Sequence, residues 1–164
     1  MKKYILYNII LFPLFFGCQT VQTKPDYNFK YHEFSYDNSK VVWEIMYDSK
    51  TGVYEEKVLE KLDDKDFSVD KISVFLKQED LKKIYDMYLS LQQINPNDCI
   101  YSNNGELVFK STLRFYANKS KSDDLKCNIT IENKKYSNLW GEIFQKIKAS
   151  DSYRNAYPEE FIGR

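Results

Sequence analysis

The sequence predicts an α+β fold: one antiparallel β-sheet with two helices packed on one of its faces. Three observations carry that prediction. Short segments alternate apolar and polar residues with the period of a half-buried strand, and turn residues separate them. Two longer segments repeat their apolar residues every three or four positions, the period of an amphipathic helix. The two kinds follow in the order strands, helix, strands, helix, without the regular strand–helix alternation that builds a parallel sheet.

Taken in order, residues 29–36 alternate loosely, and Asp37-Asn38-Ser39 supplies turn chemistry after them. Residues 41–47 read as a strand, 48–52 as a hairpin loop in which Gly52 takes a positive φ, and 53–59 as a more polar return strand. Residues 60–70 are charged and are expected to form a surface loop. Asp64, Asp66, Ser68 and Asp70 alternate there like the start of a calcium loop, but Val69 and Phe75 stand where such a loop needs Gly and Glu. Residues 72–76 form a short strand that leads into a helix. Glu79 and Asp80 lie in its first turn, where acids complement the helix dipole. Leu81, Ile84, Tyr85, Tyr88 and Leu91 make its apolar stripe, and Pro96 ends it.

Ser102-Asn103-Asn104-Gly105 is a tight-turn sequence. Beyond it Leu107, Phe109, Leu113 and Phe115 share one strand face, and Lys110, Thr112, Arg114 and Tyr116 share the other. Leu125, Cys127, Ile129 and Ile131 alternate with polar residues, so residues 106–117 and 125–132 are expected to pair as a hairpin with one wet face. A last helix runs from about Ser137, its N-cap, to Ala149. Its stripe is Tyr136, Trp140, Ile143, Phe144 and Ile147. Pro158 argues against helix in the tail, residues 151–164, which is expected to pack as an extended strap.

The first eighteen residues have a different texture. Lys2 and Lys3 precede an apolar run from Ile5 to Gly17, and Cys18 follows directly. The run falls short of the ~20 apolar residues that a spanning helix needs. A positive start, a short apolar run and a small residue before the break are the parts of a secretory signal peptide. With Phe15-Phe16-Gly17-Cys18 at its end, the segment resembles a bacterial lipoprotein signal, whose lipobox closes on Gly or Ala followed by Cys. Phe15 and Phe16 depart from the Leu and small residue usual at its first two positions. The resemblance implies removal of residues 1–17, a diacylglyceryl group on the Cys18 thiol, and a chain anchored to a membrane of the bacterial cell envelope. One acyl chain at about 0.8 kcal/mol per methylene binds marginally, whereas two or three hold firmly. Residues 18–28 then form the lipidated terminus and a polar tether, and 29–164 a single domain. Nine residues of coil reach roughly 15–18 Å on average, which holds that domain just off the bilayer.

The chain carries 24 basic and 24 acidic side chains. Residues 1–17 hold Lys2, Lys3 and no acid, so the remainder has 22 bases against 24 acids, a net charge of −2. Nucleic acid asks for a clustered basic surface and is therefore not an expected partner. With lipid on Cys18, the other two cysteines, Cys99 and Cys127, become a candidate disulfide, because an exported chain meets oxidising conditions. The bond would stabilise by about 3.6 kcal/mol in the chain-entropy treatment. Two buried thiols are the alternative. The pair would sit two strands apart if Asn103-Asn104-Gly105 closes a regular hairpin.

No glycine-rich phosphate loop, zinc-protease helix or nucleophile elbow occurs. His32 is the single histidine, so neither a histidine-based metal centre nor a cofactor is expected. The expected function is a non-enzymatic one: an anchored envelope protein that binds a protein or glycan, or helps assembly. An inhibitor or immunity-like protein acting on an extracellular enzyme is its narrower form. Tyr116 and Arg114 on the wet face are the expected partner contacts, since aromatics and arginine are enriched at binding hot spots. The alternative is a hydrolase of cell-wall or polysaccharide substrates using two carboxylates, which are recognised by their separation in space.

Overall fold

The computed structural model describes residues 25–60, 68–91, 97–117 and 134–158. The first meander follows the alternation. β1 (Phe29–Asp37) turns into β2 (Lys40–Asp48) through Asn38 and Ser39, both at positive φ (48° and 65°). Two such residues in a two-residue loop match the twist of the strands they join. Gly52, at φ 71°, closes the loop between β2 and β3 (Val53–Val58), and β4 (Ser68–Ser73) pairs with β3. After α1 (Gln78–Leu89), β5 (Asn97–Tyr101) and β6 (Leu107–Phe115) form a second hairpin with Gly105 at φ 83°. α2 (Lys134–Lys148) and the short α3 (Asp151–Ala156) complete the described elements. All strands pair antiparallel in the order β4-β3-β2-β1-β6-β5, so the fold is α+β.

The registers divide the sheet into two unlike faces. Phe29 and Tyr31 of β1 stand beside Phe115 and Leu113 of β6, Tyr31 beside Tyr47 of β2, and Tyr47 beside Tyr54 of β3. These residues form one buried core with Leu81, Ile84 and Tyr88 of α1, with Leu139, Trp140, Ile143 and Ile147 of α2, and with Tyr153 of α3. All three described helices therefore lie on one face, and two ion pairs join α1 to α2, Lys146–Asp80 at 2.7 Å and Lys83–Glu142 at 2.8 Å. The other face carries Lys30, His32 and Phe34 of β1, Glu44, Met46 and Asp48 of β2, and Val53, Glu55 and Lys57 of β3.

Four local expectations need correction. The charged loop ends before Ser68, because residues 68–70 complete the ladder along the free edge of β3. The ladder stops at Ser73, short of the expected Leu76. Ser137 is not a cap: α2 already begins at Lys134, and Leu139 joins the buried stripe. Residues 151–156 are helical rather than extended, since Ser150 caps them by accepting the Tyr153 N–H at 3.2 Å, and the helix ends ahead of Pro158. β6 pairs with β1 along 109–115 and with β5 along 107–112, while residues 125–132, expected to pair with 106–117, lie outside the described residues.

The β2–β3 turn depends on its glycine twice over. A Cβ at Gly52 would fall 2.5 Å from the Phe75 ring, and φ 71° already disfavours any L side chain. Gly52→Ala is expected to cost about 1–2 kcal/mol in urea unfolding. An unchanged midpoint would show that the turn and the ring adapt freely.

Candidate functional site

On the helix-free face, strand alternation brings charged and apolar side chains together over β1–β3. A groove of about 300 Å³ opens there, lined among others by Lys30, His32, Met46, Asp48, Val53 and Glu55. Met46 and Val53 supply its apolar lining. The charges around them are cross-linked: His32 Nε2 lies 2.6 Å from Glu44 Oε1, and Lys57 Nζ lies 3.3 Å from Glu44 and 2.9 Å from Glu55. Desolvation pushes the Glu44 carboxyl up, but the hydrogen bonds from His32 and Lys57 outweigh it, and its pKa lies below the ordinary value. Asp48 is lowered in the same way, desolvation being overcome by the Tyr116 hydroxyl and the backbone N–H groups of Lys50 and Thr51. These side chains are largely covered, so the attraction within each pair is set against the cost of desolvating both charges. Their effect is to hold the side chains in one arrangement.

The two expected contact residues lie on this face. Arg114 is exposed on β6 beside Lys30. Tyr116 follows β6, half-buried, and its hydroxyl donates to Asp48 Oδ2 at 2.6 Å. Lys50 and Lys30 stand over its ring at 4.9 and 5.6 Å from the centroid. Burial, then the Asp48 carboxylate, hold the phenol proton well above its ordinary pKa. The structure thus ties Tyr116 to Lys30, Lys50 and Asp48, which sequence reasoning did not select. Strand parity is the signal that would have found Lys30 and Asp48, since they share a face with His32 and Met46. Cys99 is buried on β5 at 7% exposure. Cys18 and Cys127 lie outside the described residues.

Two further carboxylates lie close together on the helix side. Glu33 and Glu56 flank Ile45 across β1–β2–β3. Glu56 accepts from Trp43 Nε1 at 3.0 Å and from the Tyr54 hydroxyl at 3.2 Å. Glu33, only 6% exposed, accepts from the Tyr31 hydroxyl. Its cross-strand neighbour Ser111 is fully buried, and the Ser111 Oγ has no hydrogen-bond partner among the described residues. Desolvation raises the Glu33 pKa against the lowering effect of the Tyr31 bond, and the negative Glu56 raises it further. A carboxyl raised by folding favours the folded state while protonated. That contribution is complete below the ordinary carboxyl pKa and is lost as pH climbs through the raised value. Glu33→Gln is therefore expected to stabilise by about 1–2 kcal/mol at neutral pH and to leave acid stability unchanged. Denaturant melts across pH read this, and a destabilised neutral-pH variant would contradict it.

Among the described residues no group of three or more His, Cys, Asp or Glu side chains is placed to hold a metal ion. No helix among them is long and apolar enough to cross a membrane. No protein-family model, curated protein or solved structure matches this chain.

Proposed function

We propose that this chain is a lipid-anchored bacterial envelope protein whose domain binds a protein or glycan partner through the helix-free face of its sheet. The anchor rests on the lysine-led apolar run that ends at Gly17-Cys18. The binding face rests on one observation: a groove with an apolar lining whose surrounding charges are already fixed by one another. Such a face meets a partner with little reordering of its own side chains, which lowers the entropic cost of association. Cys99 and Cys127 form the disulfide that braces the domain in this reading.

Full-length chain displayed on cells should retain its envelope partner, and Met46→Asp together with Arg114→Ala should weaken that retention about tenfold or more without lowering the melting temperature. Recovery of no envelope component, or retention indifferent to both changes, would sink the proposal. The competing hydrolase reading is supported by Glu33, the one described carboxylate with a raised pKa. Its burial under the helices speaks against substrate contact. Glycan turnover by the full chain that Glu33→Gln abolishes would replace binding with catalysis.

A further inference from the structure

The end of the domain where the tether joins carries features that core packing does not explain. Residues 26–29 are fastened to the β2–β3 turn. The Phe29 N–H donates to Ser49 Oγ at 2.8 Å, the Ser49 N–H returns to the Phe29 carbonyl at 3.0 Å, and Lys50 Nζ lies 3.9 Å from the Asp26 carboxylate. Phe75 covers the same turn, its ring against Gly52, while the Val74 N–H donates to the Gly52 carbonyl at 2.7 Å. Yet Phe75 is 70% exposed, the most exposed of the large apolar side chains described. Covering such a ring is worth about 1.5–3 kcal/mol, and the fold leaves most of that unused. Lys30, Lys50 and Lys77 stand exposed at this end among Asp26, Asp48, Glu79 and Asp80, so charges of both signs surround the ring.

Chain length selects this end. Six residues lie between Cys18 and Pro25, so a lipid on Cys18 lies at most about 25 Å from the domain and nearer on average. The opposite end, at the Asn38–Ser39 turn, is about 27 Å farther along β1. The Phe75 end is the nearer of the two to the anchor. Aromatic side chains favour the membrane–water boundary, and a lysine near an anionic surface gains about 1 kcal/mol.

We propose that the domain rests on the lipid surface through this end, with Phe75 seated at the boundary of headgroups and acyl chains and the exposed Lys50 and Lys77 reaching the headgroups. The proposal rests on the lipid-anchor reading of Cys18. It also orients the molecule, since the Asn38–Ser39 and Asn103–Gly105 turns then face away from the membrane.

The test uses full-length F75W reconstituted in vesicles of phosphatidylcholine and anionic phosphatidylglycerol with bromine-labelled acyl chains. Leu89, exposed about 17 Å along α1, supplies the control L89W. Indole emission from F75W, after subtraction of the parent signal from Trp43 and Trp140, is expected to be quenched about twofold, and that from L89W to be unchanged. A chain that floats with the vesicles while F75W stays unquenched overturns the docking and leaves the anchor standing. Cys18 without lipid by mass, and a chain that does not float, overturn the anchor instead. The same F75W chain mixed with excess vesicles still reads the docking: quenching there supports it and its absence overturns it.

Discussion

Phe29→Ala is expected to lower the stability of the domain by about 3–5 kcal/mol, the range for deleting a fully enclosed aromatic ring. Phe29 is 0% exposed and touches two other rings, Tyr47 at 5.8 Å and Phe115 at 5.6 Å between centroids. Phe115 in turn meets Tyr85 at 4.9 Å and Tyr88 at 4.6 Å, so the site joins β1, β2, β6 and α1. Four neighbouring aromatic rings have few rotamers with which to fill a vacated volume, and the cavity term should remain. Against a total of about 5–15 kcal/mol for a domain, the loss is large enough to unfold much of the protein near physiological temperature. Urea melts of Phe29→Ala beside the exposed Leu89→Ala, expected within about 0.5 kcal/mol of the parent, make the comparison. A Phe29→Ala loss below about 1 kcal/mol would mean that the ring cluster closes over the gap and does not bear on the fold as described.

The same residues show how much of the fold was legible. Phe29, Tyr31, Tyr47 and Tyr54 declare their face through alternation, loose in β1, and the helix stripes follow from a local period of the same kind. What alternation cannot supply is which strand lies beside which. β6 lies between β1 and β5, and its pairing with β1, distant in the sequence, is a choice made by long-range packing. The tail was misread for a different reason. Pro158 is a genuine stop signal, but it lies beyond a helix that Ser150 and Asp151 had already started. At the candidate site, the aromatic and cationic types were readable in Tyr116 and Arg114. Their partners were not, because Asp48 lies 68 residues from Tyr116 and meets it only once the sheet is assembled. Glu33 was hidden by the opposite error: a glutamate in an alternating strand reads as solvent-facing, whereas parity puts it beside Ser111 and Ile45 under the helices.

Breaking the proposed Cys99–Cys127 bond is the second change expected to be large. A regular hairpin at Asn103-Asn104-Gly105, with residues 125–132 beyond β6, would set the two cysteines two strands apart. That hairpin exists, with Cys99 opposite Lys110. β1 occupies the far side of β6 from Phe109 to Phe115, and residues 125–132 lie outside the described residues. The two-strand separation is therefore no longer imposed. Cys99 is buried on the helix-free face of a five-residue edge strand, a short element that gains from a covalent brace. Closing the loop from 99 to 127 restricts the unfolded chain and is worth about 3.6 kcal/mol, less any strain. Full-length protein unfolded without reductant is expected to show no titratable thiol from either residue. Reductant should lower the stability of the parent by about 3 kcal/mol and leave Cys99→Ser, already weakened to the same extent, unmoved. Two free thiols, or a parent whose melt ignores reductant, would remove the brace from the account and leave Cys99 as a buried thiol packed at the sheet edge.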